Sequence, residues 1–224
     1  MLFVLASTST YAQGEQCGCA KDSLINNGSI DCSIMKLSDG SELYWQVNCK
    51  RVWLTMKRPD KKTIVLDELP IEYYGYTFRL GFQLAKEYKK TLLFRSGCPA
   101  NGPCNFILVD KATGKRIDEF GELIYNHSSR EFFDFIIYFS RENQLTLDFI
   151  DTRIKYNYRV NPKHFNAVVP EYAFDHVFIK DNVLYLQYDS GELKIDLKTK
   201  RRITSASRMR AEEPEFSFCN SIWL

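Results

Sequence analysis

The chain has 224 residues, 45% hydrophobic and 26% charged, so it carries enough apolar material to bury a core and is not a disordered segment. Thirty Lys and Arg against 28 Asp and Glu leave a net charge of +2, which excludes the strongly basic balance of a nucleic-acid or anionic-membrane binder. No apolar run approaches the roughly 20 residues of a membrane-spanning helix, so neither a nucleic-acid partner nor a membrane span is expected.

The N-terminus reads MLFVLASTSTYA before Gln13. A short apolar run, small polar residues and a terminal Ala describe the back half of a secretory signal peptide over residues 1–12. The segment lacks a Lys or Arg before the apolar run, which leaves a natural start upstream of Met1 open. Residues 13–224 then form one all-β domain with a cysteine-bearing arm at its N-terminus and an irregular C-terminal tail. The expected location is secreted or periplasmic.

Seven cysteines fit an oxidising compartment, and their odd number leaves at least one without an intrachain partner. Cys98 and Cys104 bracket Pro99-Ala100-Asn101-Gly102-Pro103, a turn-forming loop with strand-like sequence on each side. This spacing predicts a disulfide across the neck of a hairpin loop. Cys32 with Cys49, and Cys17 or Cys19 with Cys219, are further candidate pairs. The only closely spaced pair, Cys17 and Cys19, stands far from the three histidines, so no metal site and no cofactor are expected.

Period-2 alternation marks the strands in chain order. Runs at 43–47, 52–56 and 63–66 come first. Phe78, Leu80, Phe82 and Leu84 then alternate with Arg79, Gly81 and Gln83. Lys86–Lys90 reads as one helical turn or a hairpin connection. Further strands fall at 91–94, 105–109, 132–139, 145–149, 154–160, 176–179, 183–188 and 193–197. Helix is expected in less than about a fifth of the chain, since no long stretch carries a 3.6-residue period. Strands end in Asp67, Asp110, Asp151 and Asp196, spaced 43, 41 and 45 residues apart. A period of 41–45 residues with several strands per unit predicts about four propeller-like repeats of antiparallel sheet, with a β-sandwich or barrel as the alternative.

Catalytic signatures are absent: no GxSxG, HExxH, Walker loop or GxGxxG occurs. Asp175 and His176 are sequence neighbours, and on a strand they face opposite ways. His127 and His164 stand in loops. The carboxylate pairs Asp67-Glu68, Asp118-Glu119 and Glu212-Glu213 fall at turns or in the tail, where solvation is the ordinary role. The basic run Lys198, Lys200, Arg201, Arg202 likewise reads as a solvated turn. Tyr73, Tyr74 and Tyr76, flanking Gly75 at a loop-to-strand junction, are the candidate binding residues. Three such rings could stack on a sugar or on a partner's side chain, or serve as packing for the next strand.

These features favour an exported non-enzymatic protein-binding module, with a periplasmic immunity-type inhibitor as a special case. The alternatives are a secreted glycan-binding module using the tyrosines, or a glycan-acting hydrolase whose two carboxylates need not be close in sequence. The partner is a protein or glycan whose identity the sequence does not specify.

Overall fold

The computed structural model describes residues 32–100, 102–161, 167–189 and 191–203. The signal segment, Cys17, Cys19, His164, Glu212, Glu213 and Cys219 lie outside the described residues. The chain is mainly β, arranged as four antiparallel sheets that follow one another in sequence. Sheet 1 contains β1 (Met35–Lys36), β2 (Glu42–Val47), β3 (Arg51–Lys57) and β4 (Thr63–Pro70). Sheet 2 contains β5 (Gln83–Glu87), β6 (Thr91–Ser96), β7 (Asn105–Asp110) and β8 (Arg116–Phe120). Sheet 3 contains β9 (Ile136–Arg141), β10 (Gln144–Phe149) and β11 (Ile154–Arg159). Sheet 4 contains β12 (Phe174–Lys180), β13 (Val183–Tyr188), β14 (Gly191–Asp196) and β15 (Arg201–Ile203). Each sheet is a meander in which sequential strands pair, and no sheet among the described residues closes into a barrel.

The sheets stack face to face in chain order, and strand alternation explains why. In sheet 2, Leu92, Phe94, Ile107 and Val109 join Trp45, Leu54 and Met56 of sheet 1 in one core. The alternate residues Leu93, Phe106 and Leu108 join Ile136 and Ile150 in a second core against sheet 3. A strand buried on both faces must be apolar at every position, so TLLF and FILV read as continuous apolar runs rather than alternating ones. A third core joins Ile137, Leu145 and Leu147 of sheet 3 to Val177, Leu184, Leu186, Leu193 and Ile195 of sheet 4. Each fully buried Leu or Phe in these layers stabilises the fold by roughly 1.5–3 kcal/mol. Polar braces supplement the layers. Lys111, almost fully buried, pairs with Glu87, whose carboxylate also accepts the Ser38 N–H (2.9 Å) and hydroxyl (2.6 Å) of sheet 1's first turn.

Two expectations from the sequence are corrected. The alternating Phe78–Leu84 segment is not one strand. Ile71–Tyr76 is a 3-10 helix and Thr77–Leu80 a single helical turn, α1, before β5 begins at Gln83. The Thr77 hydroxyl donates to the Tyr74 carbonyl (3.0 Å) and the Gly81 N–H to the Thr77 carbonyl (3.0 Å), which closes the backbone locally. Gly81 is required where the Trp45 ring crosses the chain: a Cβ there would lie 2.7 Å from Trp45 Cη2. Lys86 and Glu87 belong to β5, so that stretch is the hairpin alternative.

The four Asp residues do not occupy one repeated position. Asp110 and Asp196 do match. Each ends the third strand of its sheet and accepts an N–H three residues on, from Thr113 (2.8 Å) and Thr199 (3.0 Å). Their carbonyls accept the Gly114 (2.8 Å) and Lys200 (2.7 Å) N–H groups, and both latter residues are left-handed. In sheet 3 the same turn runs from Phe149 to Arg153, with its own 2.8 Å bond and left-handed Arg153, so Asp151 sits two residues out of phase. Asp67 lies within β4, where its carboxylate accepts the Phe82 N–H (3.0 Å). What repeats is turn geometry, and Asp marks it twice.

Candidate recognition site

Three connections meet at one end of the stack. The Cys98 N–H donates to the Arg79 carbonyl (2.9 Å), and Arg79 Nε donates to the Cys98 carbonyl (3.2 Å). The 97–104 loop is therefore tied to the segment between sheets 1 and 2. Cys98 and Cys104 form the expected disulfide, with Cα atoms 4.2 Å apart. In the chain-entropy account a ring this small stabilises by roughly 2–2.5 kcal/mol. Cys32 and Cys49 are also disulfide-bonded.

Glu122, fully buried just after β8, ties this loop to the rest. Its Oε2 accepts the Cys104 N–H (2.9 Å) and the Tyr172 hydroxyl (2.8 Å), and its Oε1 accepts the Leu123 N–H (3.3 Å). The Tyr172 oxygen also lies 3.2 Å from the Gly102 carbonyl. Tyr172 comes from the short 3-10 helix Pro170–Ala173 leading into sheet 4. Burial and the Glu122 carboxylate both push the Tyr172 phenol well above its ordinary range. Neighbouring Glu171 is also pushed up, by burial first and by the Glu122 charge in addition. These carboxylates are far apart in sequence, and neither stands in an adjacent pair of the kind that draws attention there.

The expected tyrosines divide. Tyr73 and Tyr76 are exposed, at 45% and 55% of their surface, whereas Tyr74 packs against the core of sheets 1 and 2. Phe78 and Leu80 extend the exposed patch, so four large apolar side chains face solvent within eight residues. Tyr172 and Val168, from the connection into sheet 4, are also exposed. Sequence reading placed Phe78 and Leu80 in a strand face because their spacing fits one.

Between sheet 2 and the connection leading to sheet 3 lies a cleft of about 230 Å³ lined by Gln83, Ala85, Arg95, Tyr125, Arg130 and Phe132. The Tyr125 and Phe132 rings stack, with centroids 4.3 Å apart and planes at 23°. Gln83 and Arg95 are register partners on β5 and β6. Arg130 is held in a tight hairpin closed by Asn126 and Glu131, whose backbones exchange bonds of 3.4 and 3.3 Å. Asn126 Oδ1 accepts the Ser128 and Ser129 N–H groups inside that hairpin. Sequence reasoning missed both arginines. The available signal was Arg95 itself, a charge interrupting the otherwise apolar TLLFRS strand.

His127 lies against Tyr125 (4.1 Å between centroids) and Tyr172 (5.5 Å), and its buried Nε2 has no hydrogen-bond partner among the described residues. Burial pushes its pKa below the ordinary value, the Glu122 charge opposing weakly. A depressed histidine pKa means the fold favours the neutral ring. The associated stability is present above about pH 6.5 and is lost as pH falls through the lowered value. Denaturant titrations between about pH 7 and pH 5 should show wild type losing more stability than His127→Gln, and parallel curves would refute this.

The other candidates are placed elsewhere. Glu68 pairs with Arg51 (2.7 Å), and burial raises the Asp67 carboxyl. Asp118 lies 3.7 Å from Lys155, which also pairs with buried Asp148 (2.8 Å). Lys200 stands over the Phe149 ring at 4.0 Å, and Asp175 and His176 lie on β12, an edge strand of sheet 4. No group of three or more metal-ligating side chains occurs among the described residues.

No protein-family model and no curated protein matches the chain. A crystal structure of an uncharacterized protein from Listeria monocytogenes EGD-e is similar over 78% of this chain at 11% identity and a TM-score of 0.32. The match covers 54% of that protein, so the chain spans about half its length. Likeness at this level carries no argument about fold or function.

Proposed function

We propose that the chain is an exported, non-enzymatic protein-binding module whose four sheets form a propeller-like stack presenting its connections at one end. The observation that carries the reading is the exposed cluster Tyr73, Tyr76, Phe78 and Leu80 on a connection braced by the disulfide loop. Exposed aromatic and aliphatic side chains close in sequence on a braced connection have the composition of a protein interface, where aromatic side chains anchor binding. The mixture of aromatic rings with Leu80 suits a protein partner better than a sugar platform. The propeller-like arrangement is supported by the sequential meanders, their face-to-face stacking and the turn geometry shared by sheets 2, 3 and 4. Export is supported by the disulfides, which persist in oxidising compartments. The hydrolase alternative draws on Glu122 and Glu171, but Glu122 is already engaged by three donors, which suits a structural carboxylate rather than a proton-transfer group.

Tyr73→Ala and Tyr76→Ala should change stability by no more than about 0.5 kcal/mol, as exposed positions usually do. Each should weaken partner binding by on the order of 2 kcal/mol if its ring is an anchor. Tyr74→Ala, in contrast, should lower the melting temperature clearly, because its ring packs on the core. Thermal unfolding of the three variants, with affinity capture from the exported fraction of the native host, reads both quantities. Equal capture by wild type and the Tyr73/Tyr76 double variant would retire the patch as the binding surface.

A further inference from the structure

We infer that the cleft between sheet 2 and the connection leading to sheet 3 is a carboxylate-binding site in which Arg95 and Arg130 receive the anion and the stacked Tyr125–Phe132 pair receives the group that bears it. The inference does not depend on the aromatic patch of Tyr73 and Tyr76.

Arg95 is half-buried on a central strand, where its sequence neighbours Leu92, Leu93 and Phe94 are fully buried. A guanidinium taken partly out of water ordinarily finds a carboxylate. None of the ion pairs among the described residues includes Arg95 or Arg130. The nearby buried carboxylate, Glu122, spends its oxygens on two backbone N–H groups and the Tyr172 hydroxyl. Arg95 and Arg130 both line the cleft beside Tyr125, whose phenol burial pushes up while their charges pull it down. Two cations thus converge on one cleft with no counter-ion from the described residues.

The shape and remaining lining complete the site. Guanidinium groups match the planar geometry of a carboxylate and bind it with charge-assisted hydrogen bonds. Gln83, Arg95's register partner, also lines the cleft, its amide nitrogen donating to the Thr77 carbonyl (3.0 Å) and its amide oxygen adding a polar group. Tyr125 is almost fully buried and Phe132 half-buried, so one edge of the ring pair forms a flat apolar wall. Such a wall accepts an aliphatic, aromatic or sugar-ring substituent on the acid. A volume of about 230 Å³ suits one side-chain-sized group rather than a polymer. The acid therefore comes either from a peptide carboxylate or from a sugar acid.

The test uses small probes on the full chain, followed by 1H–15N NMR titration. Hippurate represents a peptide carboxylate and glucuronate a sugar acid, with hippuramide and glucose as their neutral counterparts. We expect saturable shifts at Arg95, Tyr125 and Arg130 with one or both acids, and none with the neutral compounds. Arg95→Gln and Arg130→Gln should each weaken binding about tenfold or more, the loss typical of a charged hydrogen bond. Arg130 lies on an exposed hairpin, so its variant should fold, and Arg95→Lys provides a second probe of Arg95 that keeps the charge but loses the fork. Preference for hippurate assigns a peptide source and preference for glucuronate a sugar source. The inference is overturned if neutral compounds bind as well as acids. It is also overturned if both arginine variants bind like wild type, or if no acid perturbs the cleft at about 50 mM, well above the millimolar affinity of a good fragment.

Discussion

Replacing Phe106 with Ala is expected to destabilise the protein by roughly 3–5 kcal/mol. Phe106 is fully buried on β7, on the face of sheet 2 turned toward sheet 3. Its ring meets Tyr125 at 6.0 Å and Phe132 at 5.7 Å, so truncation removes packing from both the core and the wall of the cleft. Neighbouring β-strands cannot close over a void of that size without shifting the whole sheet, so the cavity term adds to the lost transfer free energy. For a chain of this length each kcal/mol lowers the melting temperature by about 2–4 °C, which makes a drop of roughly 10 °C readable by calorimetry. A drop of only a few degrees would mean that sheets 2 and 3 are not packed through this residue.

Glu122→Ala should cost about 3 kcal/mol, although the side chain is polar and lies in no conventional core position. The substitution strands the buried Cys104 and Leu123 N–H groups and removes one of the two acceptors of the part-buried Tyr172 hydroxyl. Glu122→Gln keeps an acceptor oxygen and the side-chain volume, and it should recover part of the loss. Urea unfolding of both variants beside wild type measures the difference. Equal destabilisation by Ala and Gln would show that the negative charge matters more than the hydrogen bonds.

The legible part of the fold was the part governed by period-2 alternation. The expected strands at 154–160 and 193–197 fall on β11 and β14 because apolar and polar residues alternate along both, although only β14 buries its apolar face, at Leu193 and Ile195. Phe78–Leu84 was misread for the same reason: Phe78 and Leu80 are apolar at strand spacing, but they face solvent rather than core. Alternation reports where apolar residues fall in the chain, and exposure depends on what packs above them. The aspartate period was half meaningful. Asp110 and Asp196 close the same turn, whereas sheet 3 builds that turn without an aspartate, the Phe149 carbonyl accepting the Thr152 and Arg153 N–H groups and the Thr152 hydroxyl.

The candidate site was legible at its Cys98–Cys104 loop, which advertises itself in local sequence; its tyrosines stood out as a cluster, but which of them face solvent was not readable there. Its other half was not. Glu122 and Arg130 come from the connection between sheets 2 and 3, Tyr172 from the connection into sheet 4 and Arg95 from a central strand, and only the packing of those elements brings them together. No spacing rule encodes a contact such as Tyr172 to Gly102 across 70 residues.

Site-specific photo-crosslinking in the native host tests the recognition surface most directly. A photoreactive phenylalanine analogue would replace Tyr76 in one strain and Ile179 in another. Ile179 is likewise exposed, at 41%, but lies on β12, away from the connections. The account predicts a discrete protein adduct from position 76 and none from position 179. Adducts of equal yield at both positions, or none at position 76 while the protein remains folded and exported, would contradict it.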